Sequence, residues 1–139
     1  MGKYIADQII KQMIGAGSHI KGAKVNVLGV TCKENVQDLR NSKVIDLIRE
    51  FESFGIEVFV HDPVANPVES QQRCGLNLVG WEELPVADAL VVAVVHEAFF
   101  ARALPELLAK VVPKGCFIDI KSRFDATQLQ AAGLKVWRL

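Results

Sequence analysis

No glycine-rich turn follows the first strand-like run of this chain, where a dinucleotide-binding domain ordinarily carries one. The stretch VLGVTCKENVQDLRNSKVIDLI, residues 27 to 48, instead places Lys33, Glu34, Asp38 and Arg40 between a buried strand and an amphipathic helix. Cysteine is scarce and odd in number: Cys32, Cys74 and Cys116 form no CxxC pair, which argues against a disulfide framework and a zinc knuckle and points to a reducing cytoplasm. No run approaches 18 uncharged apolar residues, and Lys3, Asp7 and Lys11 interrupt the first twenty positions, so neither a signal peptide nor a spanning helix fits. A soluble, cytoplasmic protein with no membrane partner is expected. Net charge is also missing, 16 Lys+Arg against 16 Asp+Glu, so nothing global draws the chain to nucleic acid and any ligand site must be local. Internal repeats and low-complexity linkers are absent, and 139 residues suffice for one domain with its own core.

What is present alternates. Ile5, Ile9 and Met13, widened by Ile10 and Ile14, predict a helix ended by Gly15 and Gly17. Residues 23–30 suit a strand covered on both faces. Asn41 or Ser42 can cap a helix whose apolar side is Val44, Ile45, Leu47, Ile48 and Phe51, closed by Gly55. A second strand over 56–60 stops at His61-Asp62-Pro63, followed by a short helix around 68–74, a short strand over 76–79 and one helical turn at 81–84. Ala89-Leu-Val-Val-Ala-Val-Val95 is the most apolar run and reads as the central strand, ending at His96. Phe99, Phe100, Leu104, Leu107, Leu108 and Val111 carry helical spacing, and Pro113-Lys-Gly115 turns the chain into a strand over 116–120. A last helix over 125–132 and an edge strand over 135–139 complete the pattern.

Such alternation implies an α/β, doubly wound, mainly parallel sheet with helices on both faces. Ligands in these sheets sit outside the carboxyl ends of the strands. Residues 31–40, His61-Asp62, His96-Glu97 and 119–123 fall there, which gathers Lys33, Arg40, Lys121 and Arg123 on one rim. A locally basic rim in a neutral protein suits a phosphorylated or carboxylated ligand, because Arg grips an anion bidentately and Lys adds a mobile point charge.

Residues 29–42, with Lys33, Asp38, Arg40 and Ser42 in unbroken spacing, resemble the opening of the C-terminal domain in the UDP-glucose/GDP-mannose dehydrogenase family, where G-[LV]-[TA]-F-K is followed by D-x-R-x-S. The likeness continues through MGKYIA at the start, which resembles the family's interdomain linker helix, His61-Asp62-Pro63, and Ala93-Val-Val-His-Glu-Ala-Phe99. It covers essentially the whole chain. The resemblance implies a Rossmann-like domain, with residues 1–20 as part of the linker helix and 21–139 as the C-terminal nucleotide-sugar-binding domain. It also implies an NAD-dependent oxidation of the C6 hydroxyl of a UDP-sugar to a carboxylate, giving a UDP-uronic acid for surface polysaccharide. The A-V-x-H-x-x-F segment points to the UDP-N-acetylhexosamine branch.

On the same resemblance Lys33 binds the UDP-sugar and Arg40 meets the NAD pyrophosphate, oriented by Asp38. Lys121 takes the place of a substrate arginine in Asp119-Ile-Lys-Ser-Arg-Phe-Asp125, with Arg123 open as the substitute. The family's G-G-x-C-x-P-x-D segment, with its catalytic thiol, and its main NAD-binding domain are not in this sequence, so the chain alone is expected to be inactive and to need the N-terminal and central parts of the same enzyme. Cys32 stands where a phenylalanine usually precedes the lysine and reads as a small apolar filler. His96 is near-neutral chemistry without an HExxH partner set, and reads as a polar strand end or pocket wall; no metal is expected. The competing hypothesis is a stand-alone nucleotide-binding or regulatory module. A start at Met1 inside a linker helix argues against it, and the apolar stripe of that helix predicts self-association into a homo-oligomer.

Overall fold

The computed structural model describes residues 2–40 and 42–139. Met1 as part of the first helix and Asn41 as a cap therefore lie outside the described residues. Helix α1 (Gly2–Gly15) leads to β1 (Lys24–Leu28), α2 (Lys43–Ser53), β2 (Glu57–His61) and α3 (Pro67–Cys74). After a single 3-10 turn at Trp81–Glu83 come β3 (Ala87–Val92), α4 (Glu97–Phe100), α5 (Leu104–Leu108), β4 (Val111–Asp119), α6 (Ala126–Ala131) and β5 (Lys135–Arg138). The strands pair in the order β2-β1-β3-β4-β5, all parallel. This is the α/β doubly wound sheet expected from the sequence, with its topological switch between β1 and β3.

Alternation along the buried strands divides the core in two. Val25, Val27, Ala89, Val91, Cys116 and Ile118 face the layer that holds α1 and α2. Leu28, Leu90, Val92 and Phe117 face Phe99, Leu107 and Leu129 on the other side. The side-chain period of two in a strand sends neighbours to opposite faces, so a continuous apolar run fills both layers.

The stripe of α1 is not free. Ile5, Ile9, Ile10 and Met13 are buried against α2 and the β4–β5 side of the sheet, while Ile14 points outward at 59% exposure. Each such side chain removed from water contributes roughly 1.5–3 kcal/mol, so α1 is fastened to this domain by its own residues. Self-association through an uncovered stripe loses its basis.

Three local expectations change. The helical spacing over 99–111 resolves into two short helices, because Pro105, which has no N–H to continue a helix, sits in the first turn of α5. Residues 113–115 do not precede β4 but bulge within it: Ala87 pairs with Val111 and Ala89 with Cys116, so the excess chain loops out, with Lys114 at φ 64°. Leu76 to Val79 contributes only a single parallel bridge, Val60 to Leu78.

The rim is set by how β1 ends. Gly29 has φ 91°, and a Cβ there would lie 2.6 Å from the Val94 Cβ and 2.9 Å from its backbone. Only glycine lets the exits of β1 and β3 come this close, which opens the crevice between the loops that follow them.

Candidate functional site: a lysine-lined cavity at the sheet's switch point

A cavity of about 240 Å³ opens beyond the carboxyl ends of β1, β3 and β4. Its floor is apolar, from Ile5, Leu47, Ala93, Val94 and Ile120. Three ammonium side chains line it, Lys33 from the β1–α2 loop, Lys43 from the first turn of α2 and Lys121 from the exit of β4, against the single acid Glu34 among the described lining residues. An apolar, low-dielectric floor strengthens the attraction between these cations and an anion that enters. The first turn of α2 adds the positive end of the helix dipole. Lys43 carries no motif signal in the sequence beyond its place one residue past the expected cap at Ser42.

Of the residues singled out from the sequence, Lys33 and Lys121 share this cavity, whereas Arg40 and Arg123 are not among the described lining residues. The guanidinium of Arg123 lies over the Phe100 ring, 5.1 Å from its centroid, and Ser122 between the two basic residues takes a left-handed φ of 55°. Arg40 stands in solvent with its side chain 75% exposed. Its Nε donates to Asp38 Oδ1 at 3.0 Å and its Nη2 to Oδ2 at 3.2 Å, while its backbone N–H also donates to Oδ1 at 2.9 Å. These hydrogen bonds hold the Asp38 carboxyl down at about 2 and raise the pKa of Arg40. One edge of the Arg40 fork is thus committed to Asp38, and among the described residues nothing accepts from the other.

Cys32 is half-buried beside the cavity and its N–H closes the loop on Asp38 O at 2.8 Å. Cys116 is buried under α1, where burial pushes its thiol up to about 11. Ser42 occupies the N-cap position of α2 but makes no cap hydrogen bond; its Oγ donates to Val30 O at 2.6 Å, tying the start of α2 to the end of β1.

Behind the cavity wall lies a buried polar knot. Asp62, just past β2, accepts at Oδ2 from the backbone N–H of Val30 (2.7 Å) and Thr31 (3.2 Å), and at Oδ1 from Val64 (2.8 Å) and Ala65 (2.9 Å). His96, at the N-cap position of α4 and fully buried, places Nε2 3.0 Å from Asp62 Oδ2 and 3.3 Å from Thr31 Oγ1. Its Nδ1 accepts from Asn35 N–H at 2.9 Å, which requires Nδ1 to be bare and Nε2 to carry the proton. Burial works to raise the pKa of Asp62, but the His96 hydrogen bond and the backbone donors of Val30 and Ala65 outweigh it and hold the carboxyl at about 2. The strand expected over 89–95 and ending at His96 runs instead over Ala87–Val92, and His96 stands at the N-cap position of α4, a buried polar residue in the β3–α4 connection.

The sequence profile of the "UDP-glucose/GDP-mannose dehydrogenase family, UDP binding domain" matches residues 26–126, from inside β1 to the start of α6. The chain belongs to this family. It is 37% identical over 139 residues to protein CapL of Staphylococcus aureus, a match that spans 100% of this chain and 32% of CapL. It is also 37% identical over 99 residues to the UDP-N-acetyl-D-glucosamine 6-dehydrogenase of Pseudomonas aeruginosa, spanning 71% of this chain and 24% of that enzyme. Among solved structures, the NDP-N-acetyl-D-galactosaminuronic acid dehydrogenase of Methanosarcina mazei Go1 superposes with a TM-score of 0.77 at 22% identity, over 98% of this chain and 29% of that one, a likeness of fold. The chain therefore spans about a third or less of the length of these relatives. Among the described residues no helix is long and apolar enough to cross a membrane.

Proposed function

We propose that this family member is the UDP-sugar-binding part of an NAD-dependent nucleotide-sugar 6-dehydrogenase, with residues 1–20 in an interdomain linker helix and 21–139 as the binding domain. The carrying observation is the convergence of Lys33, Lys43 and Lys121 on one cavity at the switch point of a neutral protein. Lys33 and Lys121 bind the substrate through the oxygens of its diphosphate, and Lys43 completes the set. The cavity, at about 240 Å³, falls below the roughly 300–1,000 Å³ typical of whole-ligand pockets, so it suits the diphosphate and an adjoining group rather than an entire nucleotide sugar. The remainder of the site belongs to other parts of the enzyme. There the C6 hydroxyl of the bound sugar is oxidised to a carboxylate, with NAD as the hydride acceptor. What this chain supplies is grip and orientation: a diphosphate fixed at one end places C6 for attack at the other.

Only a single contact to NAD fits these residues. The open edge of the Arg40 guanidinium suits a pyrophosphate oxygen presented across an interdomain cleft, while a glycine-rich turn able to hold the rest of the cofactor is absent from the β1 exit. Identity to a UDP-N-acetyl-D-glucosamine 6-dehydrogenase supports a UDP-N-acetylhexosamine as substrate and a UDP-uronic acid, made in the cytoplasm for surface polysaccharide, as product.

Titration calorimetry with UDP and with uridine tests the reading. UDP is expected to bind and uridine to bind far more weakly, because the diphosphate supplies the charge. Lys33→Ala should weaken UDP binding by roughly 1–3 kcal/mol, the scale of a hydrogen bond to a charged group. Equal binding of UDP and uridine, or a Lys33→Ala variant that titrates like the parent, would overturn it.

A further inference from the structure

The loop that carries Lys33 is largely closed on itself. Thr31 Oγ1 donates to Lys33 O at 2.9 Å, Val36 N–H to the same oxygen at 3.4 Å, and Cys32 N–H to Asp38 O at 2.8 Å. Such bonds fix the loop's shape and leave its place relative to β3 undetermined. Two further bonds at the tip supply that tie. Asn35, in a left-handed conformation with φ 60°, donates its N–H to His96 Nδ1 at 2.9 Å, and its Oδ1 accepts from Glu97 N–H at 3.0 Å. Asparagine tolerates this backbone region better than most residues, and the kink turns both its amide and its side chain toward the β3–α4 connection.

His96 is itself immobilised. It is fully buried, Asp62 holds its Nε2, Thr31 stands 3.3 Å away, and the Phe99 ring is tilted against it at 5.6 Å. One imidazole therefore links the exits of β1, β2 and β3 and presents a single fixed acceptor to the tip of the Lys33 loop, two residues from Lys33.

We infer that His96 is a positioning residue for the anion site: its bare Nδ1 anchors Asn35 and so sets where the Lys33 ammonium stands over the cavity. The inference rests on the reading of Lys33 as a ligand for the diphosphate. It assigns His96 neither proton transfer nor contact with the substrate.

Two substitutions separate the halves of the imidazole. An asparagine amide ends at the δ position, so His96→Asn keeps an acceptor for Asn35 N–H and gives up the reach to Asp62. A glutamine amide ends at the ε position, so His96→Gln keeps a donor for Asp62 and gives up the acceptor at Nδ1. Amide hydrogen exchange at Asn35 and UDP titration are to be read on the parent, both variants and Lys33→Ala, at one pH. His96→Gln is expected to speed exchange at Asn35 and to weaken UDP binding, each by about tenfold, as for loss of one buried hydrogen bond. His96→Asn should stay within about threefold of the parent in both, even though it unfolds at a lower temperature. A purely structural histidine predicts the opposite ranking, with binding following thermal stability. That result, or equal Asn35 protection in the two variants, would overturn the inference. Should Lys33→Ala leave UDP binding intact, the site reading falls, and the exchange contrast at Asn35 still decides whether His96 anchors the loop. Should Lys33→Ala weaken binding while His96→Gln does not, the site stands and the positioning role falls.

Discussion

Two carboxylates on the same rim, Asp62 and Asp38, are both held at about 2, and for different reasons. Asp62 has a side chain with no exposure, four backbone N–H donors and a buried histidine. Asp38 lies at the surface, and its low value comes first from the hydrogen bonds to Arg40. Equal acidity thus marks a structural bolt in one place and an exchangeable ion pair in the other. The buried group is costly to disturb because its partners have no water to turn to; the exposed pair can be traded for a ligand's anion at little cost. The rim accordingly combines a rigid back, which orders the strand exits, with a polar front able to meet a ligand.

The comparison is broken most severely at Asp62. Asp62→Ala leaves four backbone donors and His96 without an acceptor and should destabilise the fold by about 3–5 kcal/mol in denaturant titration, the range for removing one partner of a buried pair. Acid sharpens it next. The folded pKa of Asp62, about 2, lies below the ordinary 3.8, so its stabilisation is fully present above pH 4 and is lost as pH falls from about 4 toward 2. That loss should be on the order of 2 kcal/mol in the parent, and Asp62→Asn, already weakened at neutral pH, should show a correspondingly flatter acid limb. Smaller still is Arg40→Ala, which should leave the unfolding midpoint unchanged; in the longer dehydrogenase it should raise the Michaelis constant for NAD more than that for the sugar nucleotide. The reverse order would move Arg40 to the substrate. The smallest effect separates two neighbours: Lys121→Ala should weaken UDP binding and Arg123→Ala leave it unchanged, because only Lys121 lines the cavity.

The sheet was legible because its signal is local: a valine-rich run such as 89–95 suits a strand buried on both faces, although β3 itself ends at Val92, and alternation with helices leaves few topologies. Lys33 and Lys121 were legible as rim residues once parallel strands were assigned, since every loop after such a strand opens on the same edge. What stayed hidden depends on contacts distant in sequence. Lys43 enters the cavity because α2 begins there, His96 meets Asn35 from 61 residues away, and Ser42 turns from its helix to Val30 O, none of which a local pattern encodes. The stripe of α1 was read correctly as apolar, yet its partner α2 could be found only in three dimensions. Arg40 and Arg123 had the right chemistry and sequence position, but a neighbouring carboxylate and an aromatic ring decide where their guanidinium groups point.

Amide chemical-shift mapping by NMR during titration with UDP tests the lysine cavity most directly. The changes should cluster at residues 31–34, at Lys43 and Val44, at Ala93 and Val94, and at Ile120 and Lys121, and should fade as salt is added. Saturable changes centred instead on the far side of the sheet, around Arg102 and Glu106, or none at UDP concentrations that saturate the longer enzyme, would contradict the account.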